Sequence, residues 1–190
     1  MSQERAYLVD FDGTLADTSD ANFGAYAQAL REVGVMVDRA TFDQQAFGRN
    51  WREFLPGFLE NSVVACSAER VAARKVELYA QCARMIRFNE ALLNLLRTRD
   101  SRIRAAIVTS ASAANVSSAL GGRPEIRDLF DLVVTGDDVV QHKPHPAGYV
   151  LAAERLGVVP EQCIVFEDSD VGVMAGLSFG AQVLRVSMRF

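Results

Sequence analysis

Cysteine is scarce in this chain of 190 residues: Cys66, Cys82 and Cys163 are all it has. Their number is odd, their spacing is wide and no Cys-x-x-Cys occurs. A disulfide framework and a paired-cysteine zinc site are thereby excluded, and a cytoplasmic protein is expected. Histidine is scarcer still. His142 and His145 flank Lys143-Pro144, with no further histidine or paired cysteine to complete a metal site, so they read as loop residues. No apolar run is long enough to span a bilayer. Charged Glu4 and Arg5 lead straight into the first apolar run, so no signal peptide is expected. Positive charge is not in excess: the net charge is -4, which gives no pull toward nucleic acid or an anionic membrane. One local basic cluster, Arg97, Arg99, Arg102 and Arg104, is interrupted by Asp100 and has no interleaved aromatics. It reads as a solvated connection between a helix and a strand.

Apolar residues, in contrast, are plentiful. At 49% hydrophobic, the chain can bury a proper core, and its length suits one domain or one domain with an insert. The first apolar run, Tyr7-Leu8-Val9, reads as a buried strand that ends at Asp10. Asp12 follows, and Gly13 allows a sharp turn. From about Asp17 to Arg87 the pattern is helical. One helix is expected from Thr18 or Ser19 to Val33 and a short one over Asp38 to Ala46, ended by Gly48. An aromatic stretch, Asn50 to Glu60, is broken by Pro56-Gly57, and Ser67 caps a helix to about Met85. No strand is expected in this block.

After it, strands and helices alternate. Strands are expected at Ile103 to Val108, Leu132 to Val134, Cys163 to Phe166 and Gln182 to Val186. Helices are expected at Glu90 to Arg97, Ser112 to Leu120, Pro146 to Leu156 and Val171 to Phe179. This alternation predicts an α/β fold: a Rossmann-like parallel sheet with helices on both faces, plus an all-α insert after the first strand. Residues 1–16 and 88–190 would form the core and residues 17–87 the helical unit.

In such a sheet, ligands bind beyond the carboxyl ends of the strands. Those positions hold Asp10 and Asp12 after the first strand and Thr109 and Ser110 after the second. Lys143 follows the third, and Glu167 with Asp168 the fourth. Clustered acids repel one another unless a hard cation sits among them, and oxygen ligands suit Mg²⁺. A lysine and hydroxyls beside a metal suit a phosphoryl group. A mechanism follows: Asp10 attacks phosphorus, and Asp12 gives a proton to the leaving oxygen and later takes one from water. Lys143 and Mg²⁺ neutralise charge. Thr109 or Ser110 holds a phosphate oxygen. Asp168 ligates the metal, with Glu167 as a second ligand or an outer partner.

The stretches Val9-Asp10-Phe11-Asp12-Gly13-Thr14-Leu15-Ala16-Asp17-Thr18, Ile107-Val108-Thr109-Ser110-Ala111-Ser112, His142-Lys143-Pro144-His145-Pro146 and Cys163-Ile164-Val165-Phe166-Glu167-Asp168-Ser169 resemble the haloacid dehalogenase-like superfamily. Within it, the chain is similar to the β-phosphoglucomutase and phosphoglycolate-phosphatase type with a helical cap. The resemblance implies Asp10 as nucleophile, Asp12 as acid/base, and Mg²⁺ held by Asp10, the Asp12 carbonyl and Asp168. It also implies that the insert is a mobile cap that selects the substrate. Gly48-Arg49 matches a cap loop that often touches substrate, and Lys75 a cap position that is often basic. Dehalogenases lack the second aspartate, so Asp12 favours phosphoryl transfer. Mutases carry a histidine where this chain has Asn22. The phosphonate-cleaving relatives need an early cap lysine, and Lys75 is the only lysine of the insert.

The expected function is a Mg²⁺-dependent phosphatase for a small phosphorylated metabolite, a sugar phosphate among the candidates. A phosphosugar mutase is the alternative, and a catalytically silent binding module is the rival from another class. The expected protein is a monomer or homodimer, without nucleic-acid or membrane partners. Relatives usually carry one more strand and helix, so a sheet one element shorter, or an edge covered by a partner, is expected.

Overall fold

The computed structural model describes residues 5–46, 51–60 and 62–188. Contacts divide the chain into two compact units, Met1–Asp17 with Arg87–Phe190, and Thr18–Ile86.

In chain order, β1 (Arg5–Val9) leads through the acidic turn to β2 (Ala16–Asp17). The second unit follows with α1 (Ser19–Glu32), α2 (Arg39–Ala46), α3 (Trp51–Leu59) and α4 (Ala68–Cys82). The first unit resumes with β3 (Arg87–Phe88), α5 (Glu90–Thr98), β4 (Ile103–Val108), α6 (Ala113–Leu120), α7 (Pro124–Arg127) and β5 (Leu132–Val134). It ends with α8 (Ala147–Leu156), β6 (Cys163–Glu167), α9 (Asp170–Phe179) and β7 (Gln182–Arg185).

Five strands form one sheet in the order β5-β4-β1-β6-β7. Every neighbouring pair is parallel, with Leu8 opposite both Ala106 and Val165. The central strands β1, β4 and β6 are largely buried on both faces and read as near-continuous apolar runs, whereas the edge strand β7 is mostly exposed. One face carries Ala6, Leu8, Ala106, Val108 and Val165, packed with Tyr149, Ala152 and Leu156 of α8 and Ala175 and Phe179 of α9. Alanines on the strands leave room for the tyrosine and phenylalanine rings. Burying Leu8 alone stabilises by about 2 kcal/mol. On the other face Tyr7 meets Phe166 edge to face at 5.4 Å.

Two departures from the sequence reading stand out. The helical block begins and ends in strand, since β2 and β3 pair antiparallel, Ala16 with Phe88 and Asp17 with Arg87. The Arg87 guanidinium adds an ion pair to Asp17 at 2.6 Å. Two-residue strands carry no periodic signal, so only their pairing reveals them. In addition, α3 runs through Pro56 rather than breaking there, and buries Phe54, Leu55 and Phe58. Burying three large apolar side chains, at roughly 2 kcal/mol each, outweighs the roughly 3 kcal/mol that an interior proline costs.

Within the second unit, α1 packs on α4 and α3 on α4. Phe42 is the hub of an aromatic cluster, 5.5 Å from Phe23 and Tyr26, 5.9 Å from Phe54 and 6.3 Å from Phe58. No described helix is long and apolar enough to cross a membrane.

Candidate active site

The site is built where β1, β4 and β6 deliver their carboxyl ends side by side. Asp10 leaves β1 with its N–H donating to the Phe166 carbonyl of β6 at 3.0 Å. The chain then turns back on itself, the Gly13 N–H reaching the Ala16 carbonyl at 2.8 Å. Glycine is required at residue 13 twice over. Its φ is +85°, and a Cβ there would stand 2.2 Å from an Asp168 carboxylate oxygen. The acidic turn after β1 and the acid after β6 therefore touch. The buried Thr14 hydroxyl donates to Asp168 Oδ1 at 3.3 Å. Asn89, the N-cap of α5, ties down the same turn by donating from its side chain to the Thr14 carbonyl at 3.1 Å.

Lys143 reaches this floor from the loop before α8. Its Nζ donates to Asp10 Oδ1 at 2.6 Å, to Glu167 Oε1 at 2.5 Å and to the Val108 carbonyl at 3.0 Å. An ammonium has three protons, so all of its donors are used. Glu167 is wholly buried. Its Oε1 also accepts from the Tyr149 hydroxyl at 2.7 Å, and its Oε2 from the Ser169 hydroxyl at 3.2 Å. Gly172 makes room for this carboxylate, since a Cβ there would lie 2.0 Å from it.

Among the described residues, Asp10, Glu167 and Asp168 form the one group of three side chains whose potential ligand atoms lie within 4.8 Å of one another. Electrostatics make this group demanding. Burial pushes the Asp10 carboxyl from its ordinary 3.8 up to about 7; Lys143 pulls it down, while Glu167 and Asp12 add to the rise. Burial, with Glu167 beside it, also raises Asp168. Burial works against the charge of Lys143, but Asp10 and Glu167 more than offset this and hold its pKa above the ordinary value. Burial and the neighbouring Glu167 push the Tyr149 phenol far above its usual range, so it stays a donor. The lysine is charged, and the carboxylates around it remain short of positive charge. Hard oxygen donors around such a deficit fit a divalent cation of the Mg²⁺ kind.

The other residues singled out in the sequence divide by position. Asp12 lies outside the three-acid group and its Oδ2 is 3.5 Å from the Thr109 hydroxyl, which donates to it. Thr109 is buried, and its Oγ1 also accepts from the Ala111 N–H at 3.0 Å. Ser110, one residue on, is exposed. Arg49 lies outside the described residues. Lys75 belongs to the helical unit and is only 3% exposed, its Nζ 5.1 Å from the centre of the Tyr26 ring and 4.2 Å from that of Tyr79.

Tyr149, Thr14, Ser169 and Asn89 are absent from the sequence-based site. Tyr149 falls on the apolar face of α8, where a ring reads as core, Ser169 reads as a cap of the helix that follows, and Asn89 stands just before a helix expected from Glu90. Thr14 and Ser169 lie within the stretches that carry the family resemblance; Tyr149 and Asn89 lie outside them.

Comparison with known proteins places the chain in a family. The sequence profile of the haloacid dehalogenase-like hydrolases matches residues 7–186. The chain is 28% identical over 181 residues to the fructose-1-phosphate phosphatase YqaB of Escherichia coli, covering 95% of each. It is 32% identical over 182 residues to a phosphorylated carbohydrates phosphatase of Thermotoga maritima, covering 93% of this chain and 82% of that one. The crystal structure of CbbY from Rhodobacter sphaeroides in complex with phosphate superposes with a TM-score of 0.84 at 26% identity, over 98% of this chain and 88% of that one. The chain belongs to the haloacid dehalogenase-like hydrolases.

Proposed function

We propose that this phosphoric monoester hydrolase is a Mg²⁺-dependent phosphatase that removes phosphate from a small phosphorylated carbohydrate by way of a phosphorylated Asp10. The observation that carries the reading is the buried Asp10 carboxylate, 2.6 Å from Lys143 and grouped with Asp168 at the carboxyl ends of parallel strands. Relatives named as phosphatases of phosphorylated carbohydrates support the substrate class.

An Asp10 oxygen attacks phosphorus, and the bond from phosphorus to the leaving oxygen breaks. Asp12 gives that oxygen its proton. The same carboxylate then takes a proton from the water that attacks phosphorus, which frees inorganic phosphate and restores Asp10. Lys143 holds its charge against both the nucleophile and the incoming phosphoryl oxygens. Ser110, exposed at the end of β4, binds a phosphoryl oxygen, and Thr109 keeps Asp12 in place. Asp10, Asp168 and the Asp12 backbone carbonyl would hold Mg²⁺, with Glu167 as an outer partner committed to Lys143. The cation supplies charge neutralisation between carboxylate and phosphate. The helical unit acts as the substrate-selecting cap, with Arg49 as a substrate contact and Lys75 as an internal cation of that unit.

The test is a panel of phosphorylated sugars, hexitols and phosphoglycolate incubated with purified protein and Mg²⁺, scoring free phosphate and isomerised ester separately. Free phosphate is expected, and it should stop when Mg²⁺ is chelated. Isomerised ester without phosphate release would instead establish a mutase.

A further inference from the structure

We propose that Tyr149 is a positioning residue for Lys143, acting through Glu167: its hydroxyl holds the Glu167 carboxylate turned to the lysine. This rests on the phosphatase reading given above. Tyr149 is buried on the α8 face that packs against the sheet, next to Ala152 and Leu156. That packing needs only a ring, and phenylalanine would supply one. The hydroxyl is a further commitment, because a buried polar group costs stability unless it finds a partner. Its partner is Glu167 Oε1 at 2.7 Å, the same atom that accepts from Lys143 at 2.5 Å. The ring of Tyr149 also lies 5.2 Å from Lys143 Nζ, so one side chain touches both ends of the ion pair. Ser169 holds the other carboxylate oxygen, and Gly172 leaves the space in which the carboxylate sits.

The consequence concerns which bond Lys143 can exchange. Its three protons go to Asp10, Val108 and Glu167. A phosphoryl oxygen arriving at Asp10 must take a share of one of them. The Val108 carbonyl is fixed by β4, and Glu167 is fixed by Tyr149 and Ser169. The bond to Asp10, the attacking group, is the one left to exchange. Without the hydroxyl, Glu167 Oε1 has a single donor and no longer fixes the lysine at the distance the reaction needs.

The experiment is a double-mutant cycle of Tyr149→Phe and Glu167→Ala, read as kcat and KM on the best phosphorylated substrate, with thermal melting of each variant. Tyr149→Phe is expected to lower kcat about tenfold, the loss of one charge-assisted hydrogen bond, and to leave KM within about twofold, since the hydroxyl touches no substrate. In the Glu167→Ala background the same change should alter kcat less than about twofold, because the group it acts through is gone. If Tyr149→Phe alone does not fold, the double variant decides by melting: a double variant that folds and melts near Glu167→Ala shows that the hydroxyl acts through the carboxylate, whereas one that also fails to fold places the role of Tyr149 in packing and overturns the proposal. A single variant with wild-type kcat, or a tenfold loss in both backgrounds, overturns it. Wild-type protein that releases no phosphate from any ester overturns the phosphatase reading, and the positioning role with it.

Discussion

In the proposed reaction Asp10 must be an ionised nucleophile in a place that resists its charge, and much of the surrounding site bears on that conflict. The carboxyl is buried, with Glu167 and Asp168 close by and one lysine to offset them. Removing Lys143 should therefore be severe. Lys143→Met is expected to lower kcat by a factor of at least about 10² and to destabilise the fold by about 3 kcal/mol or more, because it leaves Asp10 and Glu167 buried without a cation. Steady-state kinetics and urea unfolding read the two effects.

The acid also sets a pH dependence. Its folded-state pKa is raised from 3.8 to about 7. Below the unfolded value both states are protonated. As pH rises toward 7 the unfolded chain releases the proton while the folded one retains it, so the metal-free protein loses stability across that interval. A bound cation favours the ionised carboxylate, so the rise in melting temperature on adding Mg²⁺ should be larger at about pH 8 than at about pH 5. Equal rises would remove Asp10 from the cation site. At this scale the sequence was most informative where chemistry forces residue types together: acids, hydroxyls and a lysine at successive strand ends have few other uses. It was silent on Tyr149, because one oxygen on a core ring changes no pattern.

The elements hold these side chains by close approach. α9 can begin directly behind Glu167 only because residue 172 lacks a Cβ, which would otherwise lie 2.0 Å from the carboxylate. Gly172→Ala should push the carboxylate or the helix aside, at a cost of about 1–3 kcal/mol, with a lower kcat as Lys143 follows. A melting temperature and kcat equal to those of the wild type would show that the contact yields freely. The long strands and helices could be read from periodicity, since each is apolar along a run or a face. What escaped has a physical cause in each case. β2 and β3 are two residues each and exist through their pairing, and α7 is a single turn. α3 continues through Pro56 because its buried aromatic face outweighs the local penalty.

At the scale of the whole molecule, each of the two units has its own core. The helical unit is stabilised around Phe42, so Phe42→Ala should cost it about 3–5 kcal/mol. Hydrogen exchange should then speed up across residues 18–86 while the strands of the sheet keep their protection. Uniform loss of protection would mean the units unfold as one. The alternation of strands and helices made the parallel sheet legible, and the long helical stretch made the insert legible. The substrate was not, because selectivity resides in contacts that no periodicity encodes. The proposed mechanism turns on whether phosphate passes through Asp10. The direct measurement is rapid acid quenching of the enzyme during turnover of a ³²P-labelled ester, with mapping of the label. The expected result is a hydroxylamine-labile label on Asp10 in the wild type, and neither label nor phosphate release in a folded Asp10→Asn variant. Turnover that leaves Asp10 unlabelled, or an Asp10→Asn variant that still releases phosphate, would contradict it.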